Sequence, residues 1–261
     1  MSLIYHKFAS TLQDHSHRPF PLSEQPWVMN QRWSNLLFAH WPFQAEMVRK
    51  LVPDCFELDL YDGQAYIGVV PFYMSEVSPR FLPSLPWLSY FPELNVRTYV
   101  RYKGQAGVYF FSLDAANFVA VYLARTLYKL PYYNAVMSIT EKQGQFEYTS
   151  RRKGRQRSLA PDQALVGEAD LVVSYSGKGS VFKSETGTLE HFLTERYCLF
   201  TEFAGKVYRG EIHHRQWPLQ RAEARFQVNT MLKPLGLEPQ GEPHLLFTAG
   251  VDTVEWAIAL V

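Results

Sequence analysis

Short runs of alternating apolar and polar residues dominate the chain, and they predict strands more often than helices. Gln64–Tyr73 (QAYIGVVPFY) is dense in β-branched and aromatic residues and follows an Asp-Gly turn. Glu93–Tyr102 (ELNVRTYVRY) alternates: Leu94, Val96, Thr98 and Val100 point one way, and Glu93, Asn95, Arg97, Tyr99 and Arg101 the other. Lys103-Gly104 turns the chain, and Gly107–Leu113 (GVYFFSL) reads as the hairpin partner. Further strands are predicted at Tyr133–Thr140, Gln145–Arg151, Asp170–Ser176, Val207–His213, Leu245–Phe247 and Val254–Leu260.

Helical spacing is rarer. Phe43, Met47, Val48 and Leu51 share one helical face, with Pro42 suited to the first turn and Pro53 as the stop. The strongest helical pattern is Ala115–Tyr128, with Asp114 as N-cap and Leu130-Pro131 as its end. Leu189–Glu195 predicts a short helix. The polar opening segment, residues 1–26, reads as an irregular arm. No repeat or linker divides the chain, so residues 1–261 read as one mostly β domain with a few helices.

Bulk composition narrows the function classes. Hydrophobic residues make up 47% and charged residues 20% of 261, enough to bury a sizeable core. A net charge of +1 leaves no whole-molecule field to attract nucleic acid or an anionic membrane, and neither is expected as a partner. The first 20 residues lack the apolar core of a signal peptide, and no later run reaches transmembrane length, so the expected location is the cytoplasm. Cys55 and Cys198 lie far apart and are expected to be unpaired, packed as small apolar groups in a reducing compartment.

Common catalytic signatures are missing: there is no G-x-S-x-G, no H-E-x-x-H and no paired C-x-x-C, and no cofactor or metal is implied. Gly177-Lys178-Gly179-Ser180 lacks phosphate-loop spacing and reads as a hairpin turn. His213 and His214, adjacent on a strand, point to opposite faces and are poor joint metal ligands. The basic run Arg151–Arg157 (RRKGRQR) fits a solvated loop or a grip on a phosphate or acidic partner.

Several segments together resemble a known family. Leu36-Leu37-Phe38-Ala39-His40-Trp41-Pro42, Pro71-Phe72, Phe91–Val100, Gly107–Asp114, Ala124-Arg125, Leu130–Ala135 and Phe192–Tyr197 are similar to the YqjF-like proteins, a bacterial family of unknown function. That family looks like a branch of the acetoacetate decarboxylase-like superfamily. The resemblance implies a conical antiparallel β-barrel enclosing a pocket, and possible assembly into homo-oligomers. It also implies a strand bearing a carboxylate, then a hairpin, a helix, and an aromatic-Pro-Lys-Lys motif. Here the order appears as Glu93, the hairpin, Ala124-Arg125 and Leu130-Pro131-Tyr132-Tyr133, with tyrosines at both lysine positions. In the decarboxylases a lysine activated by a neighbouring cation attacks a ketone. Tyrosine forms no stable Schiff base, and Lys129, two residues before Pro131, is a poor substitute.

The expected site is therefore a polar cluster in an aromatic-lined cavity. Glu93 is the candidate general base, with Tyr132 and Tyr133 as hydroxyl donors. Arg97 and Asn95 are the candidate ligand-binding residues for a small keto acid or related organic acid, with His40 and Trp41 capping the cavity. Glu93 and Arg97 as a mere ion pair is the structural alternative. A lyase or isomerase acting without a Schiff base and a non-catalytic small-molecule sensor both remain open.

Overall fold

The computed structural model describes residues 8–152, 154, 156 and 167–261. Among the described residues, thirteen strands and a few short helices follow in order: β1 (Met29–Gln44), α1 (Ala45–Arg49), β2 (Glu57–Leu58), β3 (Gln64–Pro79), β4 (Phe91–Tyr102) and β5 (Gln105–Ala115). Then come α2 (Phe118–Leu123) running into a π-turn (Ala124–Tyr128), β6 (Tyr132–Lys142), β7 (Gln145–Arg152), β8 (Ala169–Phe182) and α3 (Leu189–Thr194). The chain ends with β9 (Cys198–Phe203), β10 (Lys206–His214), β11 (Leu219–Asn229), a 3₁₀ turn (Lys233–Leu235), β12 (His244–Glu255) and β13 (Ala259–Leu260).

The strand order is β5-β6-β7-β8-β11-β12-β1-β3-β4, and β4 pairs back onto β5, so these strands form a ring. A second path, β9 and β10, joins β5 to β12 on the other side of β4, β3 and β1. Among the described residues the pairings are antiparallel except for two short parallel ones, β5–β6 and β5–β9. The larger ring is filled by inward residues of its strands, including Leu37, Ile67, Leu94, Val96, Tyr148, Val173 and Phe247. The second path encloses another core with Phe38, Val70, Phe72, Ala115, Val121 and Trp217.

The shared strands are consequently buried on both faces. On β7 burial alternates residue by residue, with Phe146, Tyr148, Ser150 and Arg152 inside. On β4 every residue from Glu93 to Val100 is buried. The polar half of its alternating pattern thus faces a second core, not water, and that geometry positions the candidate site.

Several local expectations change. His40, Trp41, Pro42 and Phe43 belong to β1, and the helix begins only at Ala45. Pro42 is tolerated because β12 pairs with β1 only as far as His40, so its missing donor faces no neighbour there. The helix after β5 is shorter than Ala115–Tyr128: its N-cap is Asn117, whose side chain accepts from the Val119 and Ala120 amides, while Asp114 is committed to Arg152. Gly177-Lys178-Gly179-Ser180 lies within β8 at a register shift against β11, with Gly179 at φ 72°, and is a bulge, not a hairpin turn. Cys198 is buried but Cys55 is exposed, and both are free thiols. Of the basic run, Lys153, Arg155 and Arg157 lie outside the described residues; Arg151 pairs with Asp170 at 3.5 Å and Arg152 is buried. No helix among the described residues is long and apolar enough to cross a membrane.

Candidate functional site

The site is built on one cross-strand row. His40 on β1 pairs with Gly68 on β3, which pairs with Arg97 on β4. A Cβ at position 68 would lie 2.5 Å from His40 Nε2, so glycine is what lets the imidazole lie across the strand. His40 Nε2 is 2.7 Å from the Tyr99 hydroxyl, and that hydroxyl donates to the Leu193 carbonyl at 2.6 Å. Tyr99 has one proton, already given to Leu193. His40 Nε2–H must then donate to the tyrosine oxygen, which leaves Nδ1 as a bare acceptor. Nδ1 is buried and has no partner. Burial, reinforced by Arg97 and His244, holds the His40 pKa well below its usual value, consistent with this neutral tautomer.

Arg97 is 8% exposed and donates from Nη2 to the same Leu193 carbonyl at 3.0 Å. Its guanidinium lies 5.4 Å from the Phe38 ring centre and 5.7 Å from that of Tyr99, while Nε has no partner. Asn95, two residues earlier on the same face, is buried with an unpartnered Oδ1. At the start of the strand, Glu93 is 3% exposed among apolar neighbours, and the Tyr132 hydroxyl lies 3.1 and 3.2 Å from its two oxygens. Burial pushes the Glu93 carboxyl up to about 8; the Tyr132 bond opposes this, and Glu255 and Asp114 add to it. Glu93 and Arg97 do not pair with each other.

α3 covers this face. Thr188 caps its start, Leu193 supplies the carbonyl that Arg97 and Tyr99 share, and Thr194 accepts from the Trp217 indole at 2.9 Å. Trp217 in turn packs edge-on against Phe38 at 5.2 Å.

Not every expected residue joins the cluster. Tyr133 points to the opposite side, 4.7 Å beneath the Arg152 guanidinium. Trp41 faces the larger ring, 5.5 Å from Phe226, and donates to the Gly241 carbonyl. Lys129 bonds the Thr126 carbonyl at the end of its own helical turn. Two cavities, of about 420 Å³ beside α1 and about 60 Å³ beside Arg152, are lined by none of Glu93, Asn95, Arg97 and His40.

Glu255 is a member that the sequence does not announce. It ends β12, burial of its carboxyl pushes its pKa up to about 8, and its charge bears on Glu93, Tyr132 and Tyr128. It belongs to no local motif, and only the pairing of β12 with β1 and β10 brings it here.

The two carboxyls make stability depend on pH. The folded Glu93 holds its proton up to about pH 8, whereas an ordinary carboxyl releases it near 4.5. The folded state therefore binds the extra proton across that window, and stability falls as pH rises through it. Glu93→Gln keeps the Tyr132 contact without the charge and is expected to stabilise the protein at pH 8, with the gain fading toward pH 4.5. Buried histidines act in the opposite direction at low pH, so the informative quantity is the difference between wild-type and variant melting curves. A difference that stays constant from pH 4.5 to 8 would contradict the buried carboxyl.

The chain resembles known proteins in sequence and in fold. The DUF2071 family model, described as an uncharacterized conserved protein, matches residues 30–252. The uncharacterized protein YqjF of Bacillus subtilis (strain 168) is 41% identical over 233 residues, covering 89% of this chain and 92% of that protein. Among solved structures, acetoacetate decarboxylase from Legionella pneumophila superposes with a TM-score of 0.61 at 10% identity, over 96% of this chain and 95% of that one. The enduracididine biosynthesis enzyme MppR complexed with pyruvate gives 0.59 at 11% identity, over 93% and 92%. An acetoacetate decarboxylase-like enzyme from Sphingomonas wittichii RW1 gives 0.59 at 9% identity, over 94% and 97%. These likenesses show a shared, mostly β, acetoacetate decarboxylase-like fold.

Proposed function

The chain belongs to the DUF2071 family of uncharacterized conserved proteins, and we propose that it binds a small organic acid of the keto acid class on the β4 face beneath α3, without forming a Schiff base. One observation carries this reading: Arg97 Nε, Asn95 Oδ1 and His40 Nδ1 are buried without partners on one face of neighbouring strands. Leaving a buried polar group unpaired costs about 1–3 kcal/mol. A ligand with a carboxylate for the guanidinium, and a hydroxyl or enol proton for the two acceptors, recovers that cost. Glu93 lies four residues from Arg97 along β4, roughly 13 Å of strand, so it would meet only the far end of a longer keto acid, as an O–H donor below about pH 8 and as a carboxylate above it. The complex of MppR with pyruvate, in the same fold, supports the ligand class.

Schiff-base chemistry is not part of the proposal. Tyr132 and Tyr133 stand where the resemblance puts lysines, and Lys129 is engaged with Thr126. A second reading, a sensor without catalysis, is favoured by the bond from Arg97 to the Leu193 carbonyl. A carboxylate that draws the guanidinium toward itself loosens α3 and so reports its own arrival.

Thermal melting with and without pyruvate or acetoacetate, followed by borohydride treatment, tests the proposal. The expected result is a rise in melting temperature with no mass added to any lysine. A borohydride-trapped lysine adduct, or no stabilisation by any keto acid while an unrelated ligand class stabilises, would sink it.

A further inference from the structure

Among the described residues, six large exposed apolar side chains lie on two segments beside the Glu93 end of β4. Phe81, Leu82 and Trp87 in the β3–β4 connection, and Phe118, Tyr122 and Leu127 on α2 and its π-turn, are each between 59% and 74% exposed. The Asn117 side chain donates to the Trp87 carbonyl at 2.8 Å and the Ala116 amide to the Pro92 carbonyl at 3.4 Å, tying the start of α2 to the β3–β4 connection. Residues 81–92 and 115–124 contain no charged residue. The bordering cations turn back onto their own chain: Arg80 lies over Trp27 and Phe81, Arg125 bonds the Tyr132 carbonyl, and Lys129 bonds the Thr126 carbonyl.

We propose that this surface is a self-association interface, occupied by the same surface of a second copy of this chain. The six side chains expose on the order of 800 Å², about what each partner contributes to a stable interface and more than a soluble monomer ordinarily leaves in one apolar patch. The lack of charge is what the buried centre of a homodimer interface requires. Attachment to an anionic membrane instead draws on free lysines and arginines around the apolar face, and here the bordering cations are engaged with their own chain. Because the connection runs directly into Phe91-Pro92-Glu93, the second copy would cover the end of the strand where Glu93 meets Tyr132. The proposal does not depend on ligand binding at Arg97.

Sedimentation equilibrium of the full chain across the micromolar range is expected to give twice the 30.2 kDa chain mass. Phe118→Asp and Trp87→Asp should each return the single-chain mass with unchanged far-UV circular dichroism. Val136→Asp, at a residue 56% exposed on β6 outside the surface, should stay dimeric. A wild type that remains at 30.2 kDa throughout would overturn the proposal, whether or not it floats with phosphatidylserine vesicles. So would a dimer that survives both aspartate substitutions in folded protein.

Discussion

Asp114→Ala is expected to lower the midpoint of thermal unfolding by roughly 10 °C. Asp114 and Arg152 are 0% and 1% exposed, and their nearest pairing is 2.7 Å. Arg152 also donates to Ser112 at 2.8 Å and lies over Tyr133, so its position is fully determined. Burial pushes the Asp114 carboxyl up to about 6, with Arg152 opposing the shift. Removing the carboxylate leaves the guanidinium buried without its counter-charge, which costs about 3–5 kcal/mol. Arg152→Met combined with Asp114→Leu should recover much of that loss, because neither charge is then stranded. Differential scanning calorimetry of the single and double variants is the check. A single variant within about 2 °C of wild type would mean that water reaches the guanidinium.

Trp217→Ala is expected to destabilise the protein by about 3–5 kcal/mol and to loosen α3 specifically. The ring is 2% exposed, its indole N–H holds the Thr194 carbonyl, and its own amide donates to Glu195 at 3.1 Å. The substitution removes both the wedge against Phe38 and the tether at the end of α3. Hydrogen exchange should therefore quicken in residues 189–194 before the rest of the molecule. Uniform quickening across all strands would show that Trp217 supports the core without any particular hold on the helix.

Legibility in the sequence followed how local each signal was. The alternation of Glu93–Tyr102 correctly places Glu93, Asn95, Arg97 and Tyr99 on one face, because a strand's two-residue period needs no tertiary context. What that face meets is not local, since β4 is shared between two cores. β1 lacked a clear strand pattern because it is buried on both sides from Leu36 to Trp41, and all of that run but His40 is apolar. β11 was hidden for the opposite reason: its inward residues Ala222 and Ala224 are small and lie among Arg and Glu, a composition that favours helix. β9 is six residues long and carries little periodicity.

The site divides in the same way. Tyr132 reaches Glu93, whereas Tyr133, one residue on, points to the Arg152 side, as strand geometry requires of neighbours. The same rule separates His40 from Trp41. Gly68 and Leu193, which orient His40, Arg97 and Tyr99, carry no chemical signature that a motif search would catch.

The most direct measurement is a calorimetric titration of pyruvate into wild type and Arg97→Gln. Wild type is expected to bind, and the variant, losing a charge-assisted hydrogen bond of about 1.5–3 kcal/mol, to bind roughly 10- to 100-fold more weakly. Equal affinities for the two proteins, with the variant folded, would place any keto acid site away from Arg97 and contradict the site described on β4.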